Sequence, residues 1–332
     1  MSQLETSFLA PDLQICKILN GLWQVAGGHG VIDRKLAVSE MLSYHKAGFT
    51  SWDMADIYGP AEEILGEFRR LLGADELEQS QALTKFVPNP GPMTRSIVEY
   101  YIDQSIKKMN VPSIDLLQFH WWDYNDASYL SALEQLTELQ EKGKIRHLGL
   151  TNFDTIRMEI MVDKGFKLVT NQVQYSILDC RPEKKMVPFC KKNDMLLLSY
   201  GTLLGGFLSK KYLGSDEPTR ADCDTQSLQK YKNMIDSWGG WNLFQELLLV
   251  LDKIATKHAV SIANVAVRFI LDRPCVAGAI IGARLGIAEH ISENLKTFGF
   301  SLDSDDYSQI KEVTSKANDL FDVIGDCGDE YR

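Results

Sequence analysis

The chain has 332 residues, and its 35 basic and 45 acidic side chains leave a formal charge of −10 spread along its length. With 45% apolar and 24% charged residues, the composition is that of a globular protein with a sizeable core, which argues against extensive disorder or a fibrous chain. Lacking a dense basic face, it is not a whole-surface nucleic-acid binder. The longest uncharged stretch, residues 195–209, is interrupted by Gly201, Gly205 and Gly206 and falls short of the ~20 residues that span a bilayer. Neither a secretory signal nor a lipidation motif is expected, and the cytosol is the expected compartment. Six cysteines lie far apart with no Cys-x-x-Cys pair, so they read as reduced thiols, and no metal site is expected.

In chain order, strand-like apolar runs fall at residues 17–25, 50–54, 81–85, 114–120, 146–150, 168–172, 195–200 and 276–281. Between them lie segments with helical spacing at 33–47, 62–72, 94–109, 128–142, 154–164, 183–193 and 241–258, followed by 287–297. Short strands buried on both faces, each followed by a helix, are the sequence form of a parallel sheet. Eight such units point to one closed (β/α)8 TIM-type barrel occupying residues 1–332 as a single domain. Two pieces fall outside the pattern: a polar loop at 212–240 after the seventh strand, and a tail from Phe300 with an extra helix at 303–318 before an irregular end.

In this fold chemistry sits at the C-terminal ends of the strands, so polar residues that end apolar runs stand out. Asp53 ends the second strand and Tyr58 follows it in the loop. Lys85 ends the third, and His120 the fourth. A tyrosine is a poor acid at neutral pH unless a neighbouring cation stabilises its phenolate. Lys85 supplies that cation, Asp53 pairs with it, and His120 donates a hydrogen bond that orients a substrate carbonyl. Each residue alone has an ordinary structural explanation, but together at successive strand ends they suit carbonyl reduction.

On these residues the chain resembles the aldo-keto reductase superfamily, from Gly21 to about Phe300. The family's Asp, Tyr, Lys, His tetrad falls on Asp53, Tyr58, Lys85 and His120, and the segment Asp53-Met-Ala-Asp-Ile-Tyr58-Gly resembles its signature around the acid tyrosine. The resemblance implies an NADPH-dependent barrel reductase of aldehydes or ketones, in a branch that includes bacterial and plant reductases and potassium-channel β subunits. No Gly-x-Gly-x-x-Gly or P-loop is present, so the dinucleotide must be held differently. The resemblance places Asp53, Thr151, Asn152 and Gln172 at the nicotinamide and Tyr200 against its ring. Backbone amides of the segment containing Gly201, Leu203 and Gly206, with Ser209 and Lys211, would approach the pyrophosphate. After the last strand, Gly282 and Arg284 lead to a helix start carrying His290, Glu293 and Asn294, where anions are favoured. Arg284 is the candidate for a 2′-phosphate, with Glu293 and Asn294 on adenine. His290 stands where many NADPH-specific relatives carry arginine, and a neutral imidazole binds a phosphate dianion more weakly than a guanidinium, which leaves NADH possible.

Trp23, with the glycines and His29 of the segment 27–30 behind it, and Trp121 and Trp122 after His120, are expected to wall the substrate mouth. The partner expected is a small carbonyl compound, and monomer and homo-oligomer are equally compatible with the sequence. Two competing readings are a nucleotide-sensing accessory subunit, binding NADPH with little or no turnover, and a Schiff-base barrel using Lys85.

Overall fold

The computed structural model describes residues 4–27 and 32–331, so Gly28, His29 and Gly30 of the expected mouth segment lie outside the described residues. The chain opens with an antiparallel hairpin, β1 (Thr6–Ala10) and β2 (Leu13–Cys16). The next eight strands are all parallel: β3 (Ile18–Gly21), β4 (Ser51–Asp53), β5 (Gln81–Phe86), β6 (Ile114–His120), β7 (Ile145–Thr151), β8 (Thr170–Gln174), β9 (Leu196–Tyr200) and β10 (Val276–Gly282). They pair in sequence order and β10 pairs with β3, which closes the barrel.

Two apolar layers hold it. Inside the barrel, Leu19, Leu83, Leu116, Leu198 and Ala277 pack on Leu9, Leu13 and Ile15 of the hairpin, which plugs the end opposite the strand C-termini. Outside, a larger core fills the space between strands and helices. The helices follow local signals: Arg34–Lys46 is capped by the Asp33 carboxylate, which accepts the N–H groups of Lys35 and Leu36. In that helix Ala37, Val38, Met41 and Tyr44, at helical spacing, turn one face to the core.

Besides adding the hairpin and the short helix Ala74–Gln79, the structure departs from the expected element list in its second half. The polar segment 212–240 is not a long loop throughout: it contains the helix Gln226–Trp238, whose Tyr231, Met234, Ile235 and Trp238 are buried. A further helix, Ile262–Leu271, precedes β10, opened by a reciprocal cap between Ser261 and Asn264. The tail after the helix Ser304–Thr314 is ordered, forming Leu320–Ile324 and a short 3-10 turn at Asp329–Tyr331. Among the described residues no single helix is long and apolar enough to cross a membrane.

Candidate active site

The strand C-termini gather one buried polar cluster. Asp53, at the end of β4, accepts from Lys85 Nζ through Oδ2 at 2.6 Å, and both side chains are almost fully buried. Lys85 also donates to the Met54 carbonyl at 3.0 Å. Burial pulls the Lys85 ammonium below its ordinary pKa, and the Asp53 carboxylate works against that pull. The Lys85 ammonium lies 5.0 Å from the centre of the Tyr58 ring, and Tyr58 in turn meets Trp23 edge to face at 4.8 Å. Three of the four expected residues therefore form one contact chain at the mouth. His120 ends β6, one strand on, and its ring lies 4.3 Å from Trp122.

The other oxygen of Asp53 accepts from two amides, Gln118 Nε2 at 2.8 Å and Gln172 Nε2 at 2.7 Å, while Gln118 Oε1 accepts from Gln172 at 2.7 Å. Gln118 is fully buried and was not anticipated. Its signal was present, because it lies two residues before His120 and so shares the inward face of β6. The Gln172 amide nitrogen, expected to meet a carboxamide, is committed to Asp53 and Gln118, which leaves Oε1 as the atom it can present to the mouth.

The same alternation corrects Trp121. It is fully buried, packs on Phe119 at 5.9 Å, and donates its indole N–H to the carbonyls of Asp123 and Asp126. Strand periodicity puts it on the helix side of β6 with Phe119, so it walls no mouth. Trp122 and Trp23 are both more than a third exposed and remain at the opening.

On the side expected to meet the nicotinamide, Thr151 ends β7 directly opposite Gln172 and His120 in the strand ladder. Asn152 follows at φ +58. Its N–H donates to the Gln172 carbonyl at 2.9 Å, and its Oδ1 accepts from the Tyr200 hydroxyl at 2.9 Å. The Thr151 hydroxyl is buried with no partner among the described residues, and so is Gln24 Oε1, whose side chain lies against Gly282 where a Cβ would stand. Orphaned buried acceptors and donors along one rim fit a ligand rich in amide and hydroxyl groups, as a nicotinamide ribose is.

The expected pyrophosphate segment is arranged differently from the expectation. Gly201 and Gly206 hold φ of +72 and +105, backbone that side-chain-bearing residues rarely adopt. The amides of Gly206 and Leu208 donate to the Leu203 carbonyl, and the Ser209 hydroxyl donates to the Gly206 carbonyl. Tight 3-10 turns thus engage the Gly206 and Leu208 amides and the Ser209 hydroxyl, and the exposed Lys211 lies over the Tyr212 ring at 4.9 Å. Beyond β10, Arg284 is exposed in a turn bridged to Ala288. The helix it was to open is short, Ile291–Lys296. There the N–H of His290 donates to the Tyr44 hydroxyl at 3.0 Å, Glu293 pairs with Lys296 at 2.9 Å, and the Asn294 N–H donates to the His290 carbonyl.

A parallel barrel with a buried Asp–Lys pair beneath a mouth tyrosine, and a histidine on the next strand, gathers proton-transfer groups at one mouth. The family model of the Aldo/keto reductase family matches residues 17–315, and the chain belongs to that family. It is 29% identical over 337 aligned residues to the aldo-keto reductase YhdN of Bacillus subtilis, covering 96% of each chain. It is also 29% identical to flagellar radial spoke protein 5 of Chlamydomonas reinhardtii, where 67% of the chain spans only 49% of that protein. The NADH-specific methylglyoxal reductase of Escherichia coli is 21% identical, with 91% of this chain and 95% of that protein covered. Among solved structures, the glycerol dehydrogenase of Gluconobacter oxydans shares the fold with a TM-score of 0.79 at 23% identity, covering 95% of this chain and 96% of that one. The family uses nicotinamide cofactors and small carbonyl substrates, so the cluster at the strand ends is the candidate site for both.

Proposed function

We propose that the chain reduces an aldehyde or ketone to the alcohol with NADPH, Tyr58 supplying the proton. NADH is the alternative cofactor, because the rim around Arg284 carries His290 and the carboxylates of Glu289 and Glu293, and a relative is NADH-specific. The observation that carries the reading is the buried Asp53–Lys85 pair set 5.0 Å from the Tyr58 ring.

Bound reduced nicotinamide supplies a hydride to the carbonyl carbon. As the carbonyl oxygen gains charge, the Tyr58 hydroxyl gives it a proton. Lys85 stabilises the phenolate left behind, and Asp53 keeps the proton on Lys85 against the burial that would remove it. His120, its ring tilted 40° against Trp122, would donate to the same carbonyl oxygen and fix its direction. Thr151, Asn152 and Tyr200 would hold and face the nicotinamide, while Trp23 and Trp122 give the substrate aromatic walls.

The test is titration with NADPH and NADH, followed by nicotinamide fluorescence, and then a panel of aromatic, aliphatic and sugar aldehydes followed by nicotinamide absorbance. Aldehyde-dependent oxidation supports the proposal, and Tyr58→Phe should bind cofactor normally while losing roughly 10²–10⁴ in kcat. Undiminished turnover in that variant overturns the role of Tyr58. Binding with no turnover on any aldehyde would leave a nucleotide sensor instead.

A further inference from the structure

The ordered tail returns to the barrel mouth and inserts a carboxylate there. Arg181, fully buried in the segment after β8, grips Asp179 with two parallel bonds, Nε to Oδ1 and Nη2 to Oδ2, each 2.8 Å. Its remaining nitrogen, Nη1, reaches across to the tail, donating to Glu330 Oε2 at 2.9 Å and to the Asp326 carbonyl at 3.2 Å. The Asp326 carboxylate pins the tail a second time by accepting the Thr155 N–H at 2.9 Å. Glu330 is thereby held with its side chain 5% exposed, and its second oxygen faces the Tyr200 hydroxyl at 3.4 Å. On the helix Gln226–Trp238, Lys230 lies 5.2 Å from the centre of the same Tyr200 ring. Burial opposes ionisation of Glu330, yet the charges of Arg181 and Lys230 hold its carboxyl below the ordinary value.

We infer that Glu330 is a positioning residue for the nicotinamide half of the cofactor, acting through Tyr200 and Asn152. The inference rests on the reading of Tyr200 as the surface on which the nicotinamide ring packs. Among the described residues the Tyr200 hydroxyl, with one proton to give, faces two acceptors, Asn152 Oδ1 at 2.9 Å and, at the longer distance of 3.4 Å, Glu330 Oε1. Between them they restrict rotation of the ring, and the bond to Oδ1 determines which edge of the Asn152 amide is the donor. Asn152 sits in the left-handed region, which asparagine tolerates better than most residues. Its contacts include the Gln172 carbonyl, the Tyr124 hydroxyl on the Asn152 carbonyl at 3.2 Å, and Tyr200. The Glu330 carboxylate is a rigid support, because its Oε2 is held by both Arg181 Nη1 and the Gly328 N–H, each at 2.9 Å. The long segment after β9 and the tail, which looked like peripheral additions in the sequence, thus converge on one ring.

The experiment compares the full-length chain with Glu330→Ala, Glu330→Gln and Tyr200→Ala, measuring dissociation constants for reduced nicotinamide mononucleotide and for 2′-phospho-ADP-ribose, which occupy the two halves of the cofactor site. In Glu330→Ala the mononucleotide should bind about tenfold more weakly, the scale of one lost charge-assisted hydrogen bond. 2′-Phospho-ADP-ribose should bind within about twofold of the parent, since its half of the site is untouched. Glu330→Gln keeps the shape and drops the charge, so the mononucleotide should weaken by an intermediate factor. Equal weakening of both ligands would show that the tail only supports the fold and would overturn the inference, as would unchanged mononucleotide binding in Glu330→Ala. If Tyr200→Ala also leaves the mononucleotide unaffected, the platform reading has failed. If Tyr200→Ala weakens it and Glu330→Ala does not, the failure belongs to Glu330 alone.

Discussion

Asp53→Asn should be among the most damaging isosteric changes in this chain, for reasons the hydrogen bonds make explicit. Oδ2 of Asp53 faces an ammonium at 2.6 Å, and Oδ1 faces two amide N–H groups at 2.7 and 2.8 Å. An asparagine has one acceptor and one donor at those positions. Whichever way it turns, its NH2 group meets either Lys85 or the pair Gln118 and Gln172, all donors. The Lys85 charge also loses its partner while remaining buried, a loss that costs about 3–5 kcal/mol. Urea unfolding followed by far-UV circular dichroism should show a deficit of that size at pH 7. Because burial already depresses Lys85 in the folded state, removing Asp53 depresses it further. The folded variant then binds fewer protons than the unfolded chain, and its stability rises with pH. The deficit should accordingly shrink as pH is raised towards the ordinary lysine value of 10.5. Pairing Asp53→Asn with Lys85→Met in a double-mutant cycle isolates the coupling, since removing both charges leaves neither stranded. A single-variant deficit under about 1 kcal/mol, or no coupling in the cycle, would refute this account.

Two further outcomes test neighbouring parts of the fold. Asp56 lies just beyond the pair, its Oδ1 enclosed without a partner among the described residues and its Oδ2 accepting the Val87 N–H at 3.2 Å. Burial, together with the charge of Glu62, pushes its carboxyl up to about 7. The folded state therefore holds a proton that the unfolded chain releases above about 4, and stability falls as pH climbs from there to about 7. Asp56→Asn keeps the acceptor for Val87 and should flatten that slope, raising Tm near pH 7.5 and leaving it unchanged near pH 4, with a gain of at most about 4 kcal/mol. In the helix Ala61–Arg69, a Cβ on Gly66 would run into the Lys108 carbonyl oxygen at the end of the helix Arg95–Met109. Gly66→Ala should cost about 1–3 kcal/mol in urea unfolding, because backbone on the far side cannot yield cheaply.

The barrel was legible because its determinants are local. Runs such as Leu-Leu-Gln-Phe-His120 carry their own strand signal, and polar residues that close those runs mark the rim. The helix Gln226–Trp238 was legible in principle, with Leu228, Tyr231, Ile235 and Trp238 at helical spacing, but the charged residues around it drew the eye to a loop. Ile262–Leu271 carries a strong helical period in its sequence although it is buried on nearly every side, so its signal was present and went unread. Trp121 was misplaced by reading adjacency to His120 as proximity, when one residue along a strand is the opposite face. In the glycine-rich segment after β9, composition shows where the backbone can turn and not which carbonyls the Gly206 and Leu208 amides turn towards. The Arg181–Glu330 pair joins residues 149 apart in sequence, and no local pattern announces such a contact.

The hairpin plug also bears on the order in which the protein is made. Glu5, at its start, is bonded to Arg268 of the helix Ile262–Leu271 at 2.6 Å, and β3 completes its second edge only by pairing with β10. At a ribosomal pace of about 5–20 residues per second, the 263 residues between those partners take roughly 13–50 s to emerge. For that interval the first barrel strand has one edge unmatched and the plug has no barrel to seal, so closure is a late event in synthesis. A chain stalled before residue 276 would leave that edge of β3 open to foreign strands.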